Sequence, residues 1–392
     1  MFYNPSAYLA YYVIMELNND VYYGWLLRSM HANGASFFFL CVYLHMFRGI
    51  YYGSFTFPRQ PLWISGCIIF VLMIITAFSG YILPWGQMSF WAAMVITSLL
   101  TVLPLIGADL IYLLWGGYSI HDATLHRFYS LHFFFPFIIL IFSIIHLFLL
   151  HEFGSNNPLG VVSYLDNTFF SPYYILKDSL SLIICLIIFC YLIFVIPDLL
   201  GHPINFEKAN FLITPAHIVP EWYLLFFYAV LRSVTAKLLG FFIMACSIFI
   251  LFLIPLILDK LIIKSNTFRP LNAIWFWILV AICLELGWVG GLPVLSPYLE
   301  VGKIFVFLYF IIFIIFFPFG IFFDKFVYDT IRLKFNLSLI FFLELIIRKI
   351  INYVLIFNIK FFFIYNRITR SYYVKKTSYF NSNLFRVNVI GY

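Results

Sequence analysis

Long apolar runs separated by short polar or proline-marked breaks dominate the chain. A helix that spans a bilayer needs roughly twenty mostly apolar residues. Seven runs meet that length, at roughly 29–50, 62–82, 128–150, 178–197, 238–258, 271–290 and 301–323. They predict an all-α, polytopic membrane helical bundle with about seven transmembrane helices. The second run stops at Pro84, because proline cannot continue a helix. The apolar stretch 86–115 is interrupted by Pro104, Gly107 and Asp109, and reads as two short surface helices instead of a span. Residues 198–237, with Pro203, Pro215 and Pro220, read as a long loop beside the membrane, the kind of segment that usually carries function or docking.

The pattern divides the chain into a short N-terminal segment (1–27), a core of four spans (28–197), a C-terminal membrane region with its long loop (198–323) and a basic extension (324–392). The extension holds eleven of the 23 Lys and Arg residues. Its apolar stretches at 337–347 and 353–364 are short and flanked by basic residues, so interfacial helices or subunit contacts are expected there rather than an eighth span at 350–366. Positive charge also sets orientation. Of the Lys and Arg residues, 17 fall on the side of the C-terminus and 6 on the other. The C-terminus therefore belongs on the negative side, which is the matrix or cytoplasmic side, and the N-terminus opposite. The start of the chain carries no visible cleavable signal sequence.

Composition sharpens this picture. Apolar residues make up 64% of the 392 residues and charged residues 10%, with mean hydropathy +1.01. Soluble domains carry roughly 25% charged residues. A soluble fold, a disordered chain, a disulfide scaffold and a nucleic-acid binder are all excluded. The formal charge of +7 is modest, and the membrane accounts for it before any other partner does. The six cysteines lie inside apolar runs with no regular spacing, and read as small apolar residues. Abundant Phe (51) and Tyr (28) match an AT-rich coding genome of the organelle kind.

Ionisable residues within spans are costly and mark function. His31 and His45 lie in the first span and His132 and His146 in the third, both pairs 14 residues apart. Fourteen residues of α-helix fall about 40° short of four full turns and rise about 21 Å. Each pair therefore lies on nearly one helix face, at two depths. A lone histidine would equally suit a buried hydrogen bond, but two pairs with one spacing are harder to dismiss. Four imidazoles on two facing helices can form two stacked bis-histidine sites, each holding a six-coordinate haem with no open position, suited to electron transfer. Gly66 and Gly80 in the second span repeat the interval of 14, and a flat macrocycle against a helix needs a residue without a side chain there. Arg28 and Arg48 flank the first pair and Arg127 lies near His132, all placed to meet haem propionates. A proton-relaying transporter would require broken helices or repeated halves, and neither is visible.

Met-His-Ala-Asn-Gly-Ala (30–35), Gly-Tyr-Ile-Leu-Pro-Trp-Gly-Gln-Met-Ser-Phe-Trp (80–91), His-Glu-Phe-Gly-Ser-Asn-Asn-Pro (151–158) and Pro-Glu-Trp-Tyr (220–223) resemble cytochrome b of respiratory ubiquinol–cytochrome c reductase, complex III. The match runs from about residue 20 to 323. Other dihaem b cytochromes, such as quinone-linked dehydrogenase anchors, lack Pro-Glu-Trp-Tyr. The plastid relatives carry an extra residue between the later histidines and split the chain before that motif, so the resemblance is to the respiratory, mitochondrial type.

The resemblance implies two b-type haems, with His31 and His132 ligating the low-potential one on the positive side and His45 and His146 the high-potential one. It implies quinol oxidation in a pocket lined by Phe78, Tyr81, Ile96, Pro220, Glu221, Tyr223 and Tyr228. Glu221, Tyr223 and Tyr81 are the catalytic candidates, because a carboxylate in an aromatic pocket can take a proton from ubiquinol. Ubiquinone reduction on the other side would use His151, Ser155, Lys177 and Asp178, where a His–Asp pair supplies protons. One electron of each quinol would leave to an iron–sulfur protein and the other would cross the bilayer to the second quinone. Partners implied are membrane lipid, the Rieske iron–sulfur protein, a c-type cytochrome, a second copy of the complex and further subunits on the tail. The mitochondrial inner membrane is the implied location.

The chain departs from that family in three places. About 27 residues precede the first histidine pair, where the family has a further span, so the expected dihaem four-helix core lacks part of its first helix. Ala92 stands where the family usually has glycine. An added methyl group on a tight pocket wall disfavours an inhibitor lying against it, so weak sensitivity to methoxyacrylate-type inhibitors is expected with quinol oxidation retained. His202 and Ile204 stand where acidic residues are usual, which alters the expected docking of the iron–sulfur protein.

Overall fold

The computed structural model describes residues 3–334 except 162, 164, 165, 259, 260 and 262, together with Lys349. The helices are α1 (Ala10–Asn19), α2 (Gly24–Tyr51), α3 (Gln60–Ile82), α4 (Gln87–Ser98), α5 (Gly107–Trp115), α6 (Asp122–Phe153), α7 (Ile175–Phe194), α8 (Leu225–Arg232), α9 (Lys237–Ile257), α10 (Pro270–Gly290), α11 (Tyr298–Ile311) and α12 (Phe317–Lys334). Among the described residues, seven helical stretches are long and apolar enough to cross a membrane, as the hydropathy pattern predicts. The interrupted stretch 86–115 forms the short helices α4 and α5.

Helix ends differ from the apolar runs where polar chemistry caps them. The third span begins at Asp122 rather than near 128, because His121 and Thr124 form a reciprocal capping box that satisfies orphan amides of the first turn. The seventh span does not end at 323. It passes through a π-bulge at Ile312–Phe316 and continues as α12 to Lys334, so the boundary placed at 323/324 lies inside a helix. Within that continuation Asp324 pairs with Arg269 at 2.5 Å. The boundary at 27/28 likewise falls inside α2, which starts at Gly24. The loop 198–237 is also corrected: its second half contains α8, whose Phe227, Ala229 and Val230 are buried. The stretches 337–347 and 353–364, and the span weighed at 350–366, lie outside the described residues.

Two apolar cores hold the bundle. The larger joins α2, α3, α8, α9, α10, α11 and α12, with Phe39, Phe70, Val230, Ile254, Leu279 and Ile312 nearly inaccessible. The smaller, built on Ile82, Trp85, Ala93 and Leu125, closes the opposite end and takes in Ala7 and Ala10 of the N-terminal segment. Tyr3 donates to the Leu83 carbonyl at 2.7 Å, and the Ala7 amide donates to Asp122 at 2.6 Å. α6 lies along α3, while the spans of α6 and α7 keep their flanks outward.

Candidate functional site

The four histidines meet across the bundle in two pairs. The rings of His31 and His132 have centroids 6.0 Å apart, inclined at 79°. Those of His45 and His146 are 6.3 Å apart, inclined at 64°. A metal–imidazole bond is about 2.0 Å, so each pair leaves room for one metal ion between its two rings.

The two glycines face these pairs. A Cβ on Gly80 would stand 2.3 Å from Cε1 of His132, and one on Gly66 would stand 3.2 Å from Cε1 of His146. Hydrogen bonds of the second ring nitrogens set the tautomer. His132 Nδ1–H donates to the Thr76 carbonyl at 2.8 Å. His146 Nδ1–H donates to Ser65 Oγ at 2.8 Å, and Ser65 in turn donates to the Leu62 carbonyl. Both leave Nε2 free for a metal, which is the usual outer-sphere arrangement of a ligating histidine. His45 differs, because its Nδ1 accepts from Arg48 at 3.0 Å. Ligation through Nε2 requires Arg48 to let go, and a propionate is a group that would draw it off. Arg28 stands over the Phe206 ring at 5.5 Å, and Arg127 donates to the Leu113 carbonyl. With imidazoles paired across the bundle, His132 and His146 held in the ligating tautomer and side-chain-free helix faces at Gly66 and Gly80, these residues fit two haems.

Next to the His31–His132 pair lies a small cavity lined by Ala77, Phe78, Tyr81, Ala92, Ile96, Pro220, Glu221, Tyr223 and Leu224. Six of the seven expected lining residues share it. Tyr228 does not: its hydroxyl donates to the Ile218 carbonyl and its ring carries Arg232. Two loops converge to build the cavity. Residues 85–89 are tied to 205–213 through Gln87 and Asn205. α2 anchors Pro-Glu-Trp-Tyr, because Trp222 donates to Ser36 at 3.0 Å, Tyr43 donates to the Tyr223 carbonyl and Phe39 stacks on the Tyr223 ring at 4.2 Å. Burial pushes the Glu221 carboxyl up to about 7, with a hydrogen bond from Tyr81 working against it. Burial first, then the Glu221 charge, raises the Tyr223 phenol, so it stays a neutral hydroxyl.

The residues expected at the other end are not brought together. His151 is exposed at the end of α6, and Lys177 and Asp178 are exposed in the first turns of α7. Among the described residues, no polar contact joins their side chains to one another or to Ser155. The Ser155 carbonyl accepts from Arg59. Sequence reasoning missed Ser65, Thr76, Phe39 and Tyr43. No local pattern marks them, since each acts on a residue at least 56 positions away.

Residues 1–154 match the family described as cytochrome b/b6/petB, and residues 208–310 match cytochrome b (C-terminal)/b6/petD. The chain is 49% identical to cytochrome b of Chondrus crispus, over 81% of this chain and 83% of that one. It is 50% identical to cytochrome b of Rickettsia prowazekii, over 81% and 80%. It is 48% identical to that of Dictyostelium discoideum, over 84% and 85%. Among solved structures, a chain of a hyperthermophilic respiratory complex III superposes with a TM-score of 0.76 at 37% identity, covering 82% of this chain and 85% of that one.

Proposed function

The chain belongs to the cytochrome b family, and on that premise we propose that it is the dihaem, quinol-oxidising and quinone-reducing subunit of a respiratory complex III in the mitochondrial inner membrane. The observation that carries this reading is the pair of imidazole couples at 6.0 and 6.3 Å, each faced by a glycine.

His31 with His132 and His45 with His146 would hold one b-type haem each. Haem held by these histidines would supply one-electron transfer. The residues do the rest. Gly66 and Gly80 keep the helix face flat. Ser65 and the Thr76 carbonyl hold two of the rings in the ligating tautomer. Arg28, Arg48 and Arg127 supply charge for propionates.

In the cavity, Glu221 is the proton acceptor for ubiquinol. Its carboxyl titrates near neutrality, which suits a general base working at physiological pH. Tyr81 orients the carboxylate, and Phe78, Ile96 and Pro220 exclude water. Tyr81 follows Gly80 directly, so one turn of α3 places the proton acceptor's partner beside the His31–His132 pair. Ubiquinone reduction is assigned to the opposite end, with His151, Ser155, Lys177 and Asp178 as its candidate residues. The family reading adds the Rieske protein and a c-type cytochrome as electron partners, a second copy of the complex, further subunits on the tail and a C-terminus on the matrix side.

The test is a potentiometric titration of the reduced-minus-oxidised haem spectrum of the purified complex, with haem counted per chain. Two b haems with separate midpoints are expected. One haem or none would overturn the assignment of both histidine pairs.

A further inference from the structure

Residues 3–12 belong neither to a span nor to the electron path, yet they touch both sides of the frame around the Glu221 cavity. Tyr3 donates to the Leu83 carbonyl at 2.7 Å and stacks on Tyr129 of α6 at 5.3 Å. Ala7 and Ala10 are buried in the smaller core with Ile82 and Trp85. These contacts fix α1 against the ends of α3 and α6.

So fixed, α1 presents two neighbouring tyrosines to the loop after α7. The Tyr11 hydroxyl donates to the Phe206 carbonyl. The Lys208 ammonium stands over the Tyr12 ring at 4.4 Å, where the ring quadrupole attracts it. Two different kinds of contact thus hold one three-residue stretch, 206–208.

That stretch is bonded in turn to the residues that start α4. The Gln87 amide donates to the Glu207 carbonyl at 2.9 Å, and the Ala209 amide to the Trp85 carbonyl at 3.1 Å. The two bonds make one antiparallel bridge, between Gly86 and Lys208. The Ser89 amide donates to Asn205 Oδ1 at 2.8 Å. A Cβ on Gly86 would collide with the Asn205 carbonyl oxygen. The turn needs this support. Trp85 is fully buried and has a φ of 53°, a left-handed conformation that a bulky residue resists. Backbone of this kind persists only where its surroundings over-determine it. Directly downstream, α4 carries Ala92 and Ile96 into the wall of the cavity that Glu221 and Tyr223 complete.

We propose that Tyr11 and Tyr12 are positioning residues for quinol oxidation: by holding 206–208 they set how closely α4 closes the cavity around Glu221. The proposal rests on the reading of that cavity as the ubiquinol site. Neither tyrosine lines the cavity, so they act on the binding of quinol and not on the proton or electron step.

Amide hydrogen exchange and steady-state ubiquinol oxidation, both on the purified complex, test this together. Tyr11→Phe removes the hydroxyl and Tyr12→Leu removes the ring, whereas Tyr12→Phe keeps a ring face for Lys208. In Tyr11→Phe and Tyr12→Leu the Gln87 and Ala209 amides should exchange about two- to tenfold faster, the worth of one such contact. The KM for ubiquinol should rise by a similar factor, with kcat, haem content and both haem midpoints kept. Tyr12→Phe should match wild type, as should Tyr22→Phe, at a residue 82% exposed. A joint fall of kcat and haem content would make the tyrosines structural and overturn the proposal. So would wild-type exchange and KM in Tyr11→Phe and Tyr12→Leu, faster exchange with an unchanged KM, or equal losses in Tyr12→Phe and Tyr12→Leu. Absence of haem or of ubiquinol oxidation in the wild-type complex is instead a failure of the underlying reading, seen before any variant is made. Exchange at Gln87 and Ala209 then still decides whether the two tyrosines hold the turn, and unchanged exchange overturns the proposal by itself.

Discussion

A Cβ on Gly80 would lie 2.3 Å from Cε1 and 2.9 Å from Nε2 of His132. Contacts this short leave no room for a methyl group unless the imidazole moves, and a metal-bound imidazole cannot move freely. Gly80→Ala is therefore expected to lose the His31–His132 haem. Gly66→Ala, with its nearest contact at 3.2 Å, should keep the other haem with a shifted midpoint. Haem per chain and the potentiometric curve read both outcomes, and equal effects of the two substitutions would contradict this ordering.

Ser65 holds His146 in its ligating tautomer through a 2.8 Å bond. Loss of such an outer-sphere partner typically costs about 10- to 100-fold in metal affinity. Ser65→Ala should weaken or shift the His45–His146 haem alone. A simultaneous change in the other midpoint would point to general loosening of α3 instead.

Glu221 has its carboxyl raised to about 7 from an ordinary 4.5. The base form grows as pH rises through that value, so quinol oxidation should rise toward a plateau above it. Glu221→Gln should lower the rate about 100-fold and flatten the profile. The stability sign follows from the same shift. The folded state binds this proton more tightly than the unfolded one, so the stabilising contribution is complete below pH 4.5 and fades as pH rises through 7. A Gln variant that keeps the wild-type pH profile would remove Glu221 as the proton acceptor.

Ala92 is buried and lines the same cavity as Glu221. Its methyl group should make methoxyacrylate inhibitors bind poorly while ubiquinol turns over. Ala92→Gly should tighten inhibition about tenfold or more, since overpacking costs roughly 1–3 kcal/mol. Nanomolar inhibition of the natural chain would refute this.

Asp324 is the one carboxylate partnering buried Arg269 among the described residues. Breaking a buried ion pair by removing one partner destabilises by about 3–5 kcal/mol. Asp324→Asn should lower the thermal midpoint of haem loss in detergent, whereas substitution of the exposed Lys325 should not.

Much of the architecture was legible along the chain, because the bilayer imposes a length on every span and a cost on every charge within one. The 14-residue interval between His31 and His45, and between His132 and His146, is a helical repeat readable without coordinates. Helix ends were less legible. The start at Asp122 is set by a capping box, which leaves no apolar signature.

The amino-acid order by itself determined which segments cross the membrane and which imidazoles share a helix face, since both follow from local periodicity and solvent. Tertiary structure alone decided which imidazole meets which, that Ser65 and Thr76 set their tautomers, and that Tyr81 and Glu221 close one cavity. These depend on contacts between residues far apart in the chain. Side-chain packing and the need to satisfy buried polar groups select those contacts, and neither quantity is defined until the helices are assembled.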